Sequence, residues 1–222
     1  MLEMKKVLVF VSAAVLLGFA PIEANAQFGG LLGGPKSTST TSAGDVDGFL
    51  KTAEEAEGLI RKSADTLFKA VATKGELDAH ADKMKAANAV ADPKEKEAAI
   101  KKASDDQQAQ LAKVDFAAKA ETAKTAMDAK QKAQTGAAIY NFILGMLKDK
   151  ELLDRGQGLI SSISGNPAAM TKVTKVKDVM SSVSSQMGNI STIATGIQKL
   201  SSAVNLEALP TKTTDQPKAV AD

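Results

Sequence analysis

From Val173 to Val204 the chain places Val173, Val176, Met180, Val183, Met187, Ile190, Ala194, Ile197, Ser201 and Val204 at alternating spacings of three and four. That spacing stacks one residue per turn on the same side of an α-helix, whereas a strand turns its faces over every second residue. Sustained without interruption, it is the seam of a left-handed coiled coil. Beside it stand Ser181, Ser184, Ser191, Thr195 and Ser202 instead of the charged flanks of a two-stranded zipper. Small hydroxyls there imply neighbours on more than one side, in a multi-helix bundle or an oligomer.

The rest of the chain follows the same helical period. Aromatic residues make up 4% and tryptophan is absent, and Val and Ile do not fall in period-two runs. Asp47-Gly48 has the chemistry of a hairpin turn but lacks alternating segments on either side. The expectation is an all-α fold, an elongated helical bundle of about four main helices with coiled-coil-like packing. There are no cysteines, so disulfides cannot staple it and a hydrophobic core must hold it.

A first helix is expected from about Asp45 to Ala72, on the recurrence of Phe49, Ala53, Ala56, Ile60, Ala64, Leu67 and Val71. Lys74-Gly75 breaks it, and a shorter amphipathic stretch carries Leu77, Ala81, Met84 and Ala87. Asp92-Pro93-Lys94-Glu95 is a helix start, with an aspartate to cap, a proline preset for the first helical position and a glutamate three residues on. From there to about Gln134 the chain is rich in Ala, Lys, Glu and Gln, with only a thin seam through Ile100, Leu111 and Val114. Read as one helix, that segment spans roughly 60 Å, and with residues 76–91 it forms a hairpin-like, solvated projection. The densest core is expected in the apolar run 137–147 and its continuation through Leu152, Leu159 and Ile163. Asn166-Pro167 opens the last helix, and residues 205–222 read as a disordered tail.

Residues 1–26 read as a secretory signal peptide. Lys5 and Lys6 precede the apolar run Val7 to Ala20, and Ala24-Asn25-Ala26 is a small-x-small cleavage pattern. Residues 27–44 follow as a flexible Gly/Ser/Thr-rich segment, and 45–204 as the helical bundle domain. The expected location is therefore periplasmic or secreted. The mature chain carries no segment of the roughly 20 apolar residues needed to span a bilayer, so no transmembrane segment is expected there.

The net charge is +2, and Arg61 and Arg155 are the only arginines. Phosphate and base edges are gripped by arginine forks and basic stripes, so nucleic acid is a disfavoured partner. His80 is the only histidine, with no cysteine or second imidazole to complete a zinc site; it is read as a surface residue. Asp105-Asp106, Glu54-Glu55 and Asp78 with Asp82 lie in lysine-rich polar stretches and read as solvated ion-pairing faces. Neither a P-loop nor a Gly-x-Ser-x-Gly elbow occurs. No cofactor, metal or catalytic residue is assigned.

Two features suggest surfaces for binding. Phe142, Ile143, Met146 and Leu147, with Met180 and Met187, form a candidate interaction or apolar-ligand surface, since methionine packs adaptably against varied apolar shapes. Arg155 stands among Leu152, Leu153, Leu159 and Ile160, where an arginine must pair or extend to solvent, with Asp154 or Asp149 as the ordinary partner. The leading functional expectation is an exported, non-enzymatic helical protein of the bacterial cell envelope. It acts through protein–protein interaction, as a scaffold, adaptor or holdase, with an envelope protein or self-association as partner. The alternative is a periplasmic carrier of a lipid or other apolar ligand in a bundle pocket.

Overall fold

A computed structural model describes residues 43–163, 170–206 and 208–220. The signal segment, the glycine-rich stretch up to Ser42 and the Asn166-Pro167 helix start lie outside the described residues. Among the described residues six helices follow in order: α1 (Ala43–Val71), α2 (Lys74–Asn88), α3 (Pro93–Leu111), α4 (Phe116–Ala126), α5 (Ala129–Ile163) and α6 (Met170–Ser201). The described residues contain no strand, and the helices pack against one another as an all-α bundle.

The first helix is where its periodicity puts it. Phe49, Ala56, Ile60, Ala64, Leu67 and Val71 are all buried. At the α2 start, Thr73 and Glu76 form a reciprocal cap: the Thr73 backbone N–H donates to Glu76 Oε2 at 2.7 Å and the Glu76 N–H to Thr73 Oγ1 at 3.4 Å. Asp92 caps α3 as expected, its Oδ1 accepting from the backbone of Lys94 and Glu95 at 2.9 Å each, with Pro93 in the first turn.

The long helix expected over 93–134 is instead three pieces. Asp115 interrupts it by accepting from the N–H groups of Ala117 and Ala118, both at 3.1 Å, which starts α4 afresh. Asp128 and Gln131 then form a second reciprocal cap, Asp128 N–H to Gln131 Oε1 at 3.0 Å and Gln131 N–H to Asp128 Oδ1 at 2.8 Å, which starts α5. The Asp115 break adds α4, and with the short α2 counted the described helices number six where about four main ones were expected. The two breaks also turn the chain back on itself, so residues 111–126 do not project. Leu111, Phe116, Ala120 and Ala123 are buried in the same cluster as residues of α1, α5 and α6.

α5 runs antiparallel to α1 and to α6. Ala138, Ile139 and Phe142 cluster with the C-terminal half of α1 and with Ile190, Ile193, Ile197 and Leu200 of α6. Leu152 and Ile163 cluster with Val46, Phe49, Ala56, Val173 and Val176. The core is thus two hydrophobic clusters along one three-helix axis. The α6 face is broader than the expected seam, because Ile193 and Leu200 are also buried while Met180, Met187 and Ser201 are only partly so. A broad apolar face suits a helix with several neighbours.

Gly145 lies at a close approach of α5 to α1. A Cβ there would meet Ile60 Cγ1 at 2.7 Å and the Ala56 carbonyl oxygen at 3.1 Å. Helix propensity alone favours Gly→Ala by about 1 kcal/mol, yet Gly145→Ala is expected to destabilise by roughly 1–3 kcal/mol because backbone must move. Urea unfolding of the variant reads which effect wins.

The chain after α6 is not a frayed tail among the described residues. Val204 and Pro210 are buried, and Leu206 and Leu209 pack against the first cluster. Hydrogen bonds to α5 hold the remainder, as described next.

Candidate functional site

The residues singled out in sequence do not assemble into one surface. Phe142, at 0% exposure, and Ile143, at 4%, belong to the first cluster and are interior. Met146 packs on that cluster from its edge, while Met180 packs on the other one, its side chain lying against Gly156. Leu147 and Met187 are half-buried. The apolar run that looked like a binding surface is mostly the inside of the bundle, because α5 has helices on both sides there.

The two charges in this region have exchanged the roles expected of them. Arg155 is exposed and pairs with Glu151, one turn earlier on α5, at 2.9 Å, rather than with Asp154 or Asp149. Asp149 is the interior charge. It sits on the buried stripe of α5 that includes Phe142, Gly145 and Leu152, between the two clusters, and is 4% exposed. Burial, reinforced by the Glu57 carboxylate, pushes its pKa up to about 7. No described ion pair includes it.

His80 is half-buried rather than a surface group. Its ring meets Phe68 edge-on at 5.5 Å, and its Nε2 is 3.1 Å from Gln107 Nε2, which also reaches Asp65 Oδ1 at 3.5 Å. Burial holds its pKa below the ordinary imidazole value, with the Asp65 carboxylate opposing. The group ties α2 to α1 and α3. Among the described residues, no three His, Asp or Glu side chains converge as metal ligands, and no helix is long and apolar enough to cross a membrane.

Two shallow grooves, of about 380 and 280 Å³, meet at Val114 and Asp115 between α3 and α4. Neither is lined by Phe142, Met146, Met180 or Met187.

The most elaborate polar arrangement is on the outer face of α5. Asn141, Leu144, Lys148 and Glu151 follow one another at spacings of three and four and so share that face. Asn141 is 5% exposed, and its side-chain amide is bonded to the main chain of Lys218 at both ends. Nδ2 donates to the Lys218 carbonyl at 2.8 Å, and Oδ1 accepts from the Lys218 N–H at 2.8 Å. The Lys218 ammonium lies over the Tyr140 ring, 4.6 Å from its centroid. Further along, Thr213 lies beside the Glu151 carboxylate and is the first cause, ahead of Arg155, holding that carboxyl below its ordinary pKa.

The path between these points is short. Leu206 and Val204 lie near Gly136, so the chain must travel from there to Glu151, roughly 22 Å along the helix. Leu206 and Thr213 are seven positions apart, a separation that spans about 23 Å at full extension. Asp215 then closes a turn, its Oδ2 accepting from the Thr211 and Lys212 N–H groups at 2.9 and 3.1 Å. The chain returns to Asn141. Residues 208–218 thus form a two-limbed strap across α5. Sequence reading missed it, since neither proline-spaced polar residues nor a lone helical asparagine carries a periodic signal.

Neither a family model, nor a curated protein, nor a solved structure matches this chain. Any functional reading therefore stands on the arrangement itself.

Proposed function

We propose that the protein is an exported, non-enzymatic helical protein of the bacterial cell envelope that acts through protein–protein interaction, as a scaffold, adaptor or holdase. The observation carrying this reading is the α2–α3 hairpin. Ala87 is the one buried residue of α2, which packs mainly on α3, and Met84, Val90 and Ile100 along that pair are only partly buried, while α3 also packs on α1 and α6 with Ala103, Gln107 and Leu111 buried. A helix with so little interior of its own as α2 offers its outer face to a partner. The strap on α5 adds a second polar contact surface. The basic n-region, apolar run and Ala-x-Ala pattern of residues 1–26 support export.

The carrier reading has less support, because Phe142 and Ile143 fill the core instead of lining a cavity. Native mass spectrometry on protein recovered from the periplasm of an expressing bacterium separates the two. The interaction reading expects a chain beginning at Gln27, as a monomer or defined oligomer free of adducts. A retained lipid-sized adduct would transfer the case to the carrier, and an uncleaved, cytoplasm-retained chain would remove the envelope role.

A further inference from the structure

The strap is bound in an unusual manner for a chain end. A side-chain amide that spends both its donor and its acceptor on one residue's N–H and C=O reads main chain, and so accepts any side chain there. The other two anchors are chemically general as well: a ring face suits any cation, and a carboxylate suits any hydroxyl donor. Apart from Pro210 and the half-buried Leu209, Thr213, Asp215 and Val220, residues 208–220 are exposed. The strap is therefore fastened at a few points to a surface that would recognise other extended chains. Beneath it, the buried Asn141 would be uncovered on α5 if it lifted.

We propose that this face of α5 is a peptide-docking site held closed in cis by the strap. Its partner is an extended segment of another polypeptide that carries Ser or Thr five residues before Lys or Arg, the spacing of Thr213 and Lys218. The proposal deepens the interaction reading by giving it a site and a ligand chemistry. It stands apart from the hairpin, so its failure would leave the hairpin reading intact.

A tethered strap competes at an effective concentration in the millimolar range. An outside peptide must then bind the wild-type chain weakly and bind better once the strap is loosened. The test uses the full mature chain and a fluorescein-labelled peptide of residues 208–220, read by anisotropy. Lys218→Pro removes the N–H that Asn141 holds and the cation over Tyr140, while leaving the α5 face unaltered. This variant is expected to bind the peptide at least about tenfold more tightly than wild type. Adding Asn141→Ala to it should abolish the gain. A Lys218→Pro chain of unchanged helicity that binds no better would overturn the proposal, as would a gain that survives loss of Asn141. Should Lys218→Pro fail to fold, Thr213→Val releases only the Glu151 anchor and must give a smaller gain of the same sign; no gain there overturns the proposal too. Wild-type dimers that exchange straps would assign the site to a second copy of this chain and overturn the partner proposed.

Discussion

Asp149→Asn is expected to stabilise the protein by roughly 2–4 kcal/mol at pH 8 and to change it little at pH 4. The buried carboxyl has its pKa raised from 3.8 to about 7. Between those values the folded chain holds a proton that the unfolded chain has released, so stability falls as pH rises through that window. Above about pH 7 both states are ionised and the full cost of an unpaired buried charge is felt. Asparagine keeps the shape and never ionises. Urea unfolding of both proteins at pH 4, 6 and 8 should show the curves diverging as pH rises. A constant offset at all three would mean that the Asp149 carboxyl is solvated and that the gap between the two hydrophobic clusters is open to water.

Phe142→Ala is expected to cost about 3–5 kcal/mol, the range for emptying a fully buried aromatic site. The ring is fully buried at the level where α1, α5 and α6 meet in the first cluster, and three long helices leave little room to collapse around the void. A surface role would give a different result, since removing an exposed aromatic changes stability by about 0.5 kcal/mol or less. Thermal or urea unfolding distinguishes the two directly.

Much of this architecture is legible in the residues. The stripe from Phe49 to Val71 and the Asp92-Pro93 start describe their helices well, because apolar periodicity and capping chemistry are local. The α6 seam is legible in direction though not in width: Ile193 and Leu200 complete it, and they become core only once α4 and α5 are placed beside it. The interruption at residues 112–115 was hidden by composition. Alanine, lysine and glutamine favour helix on both sides, and no glycine or proline marks the break. Asp128 with Gln131 has the spacing of a capping box, set inside a stretch whose composition favours helix throughout.

The site fared differently. Asp149 lies at the helical spacing of Phe142, Gly145 and Leu152, and Arg155 does not, so their burial could have been told from the wheel. The segment's apolar character drew attention to the arginine instead. Nothing local in Asn141 or in residues 208–220 announces that they meet, since they are 77 positions apart at Lys218 and the meeting depends on where α6 ends.

The central claim is that the chain is a two-cluster helical body carrying a strap that opens on its own. Residue-resolved hydrogen exchange on the full chain tests it most directly, because core amides open only with global unfolding while separately opening units exchange sooner. The account predicts that the amides of Ile139, Leu144, Ile190 and Ile197 share the slowest rate. The Lys218 amide, bonded to Asn141, should exchange far faster than these yet slower than in the free peptide. A Lys218 amide as slow as that of Leu144 would make the strap part of the cooperative core, and one as fast as in the free peptide would mean that it is not bound to α5 at all.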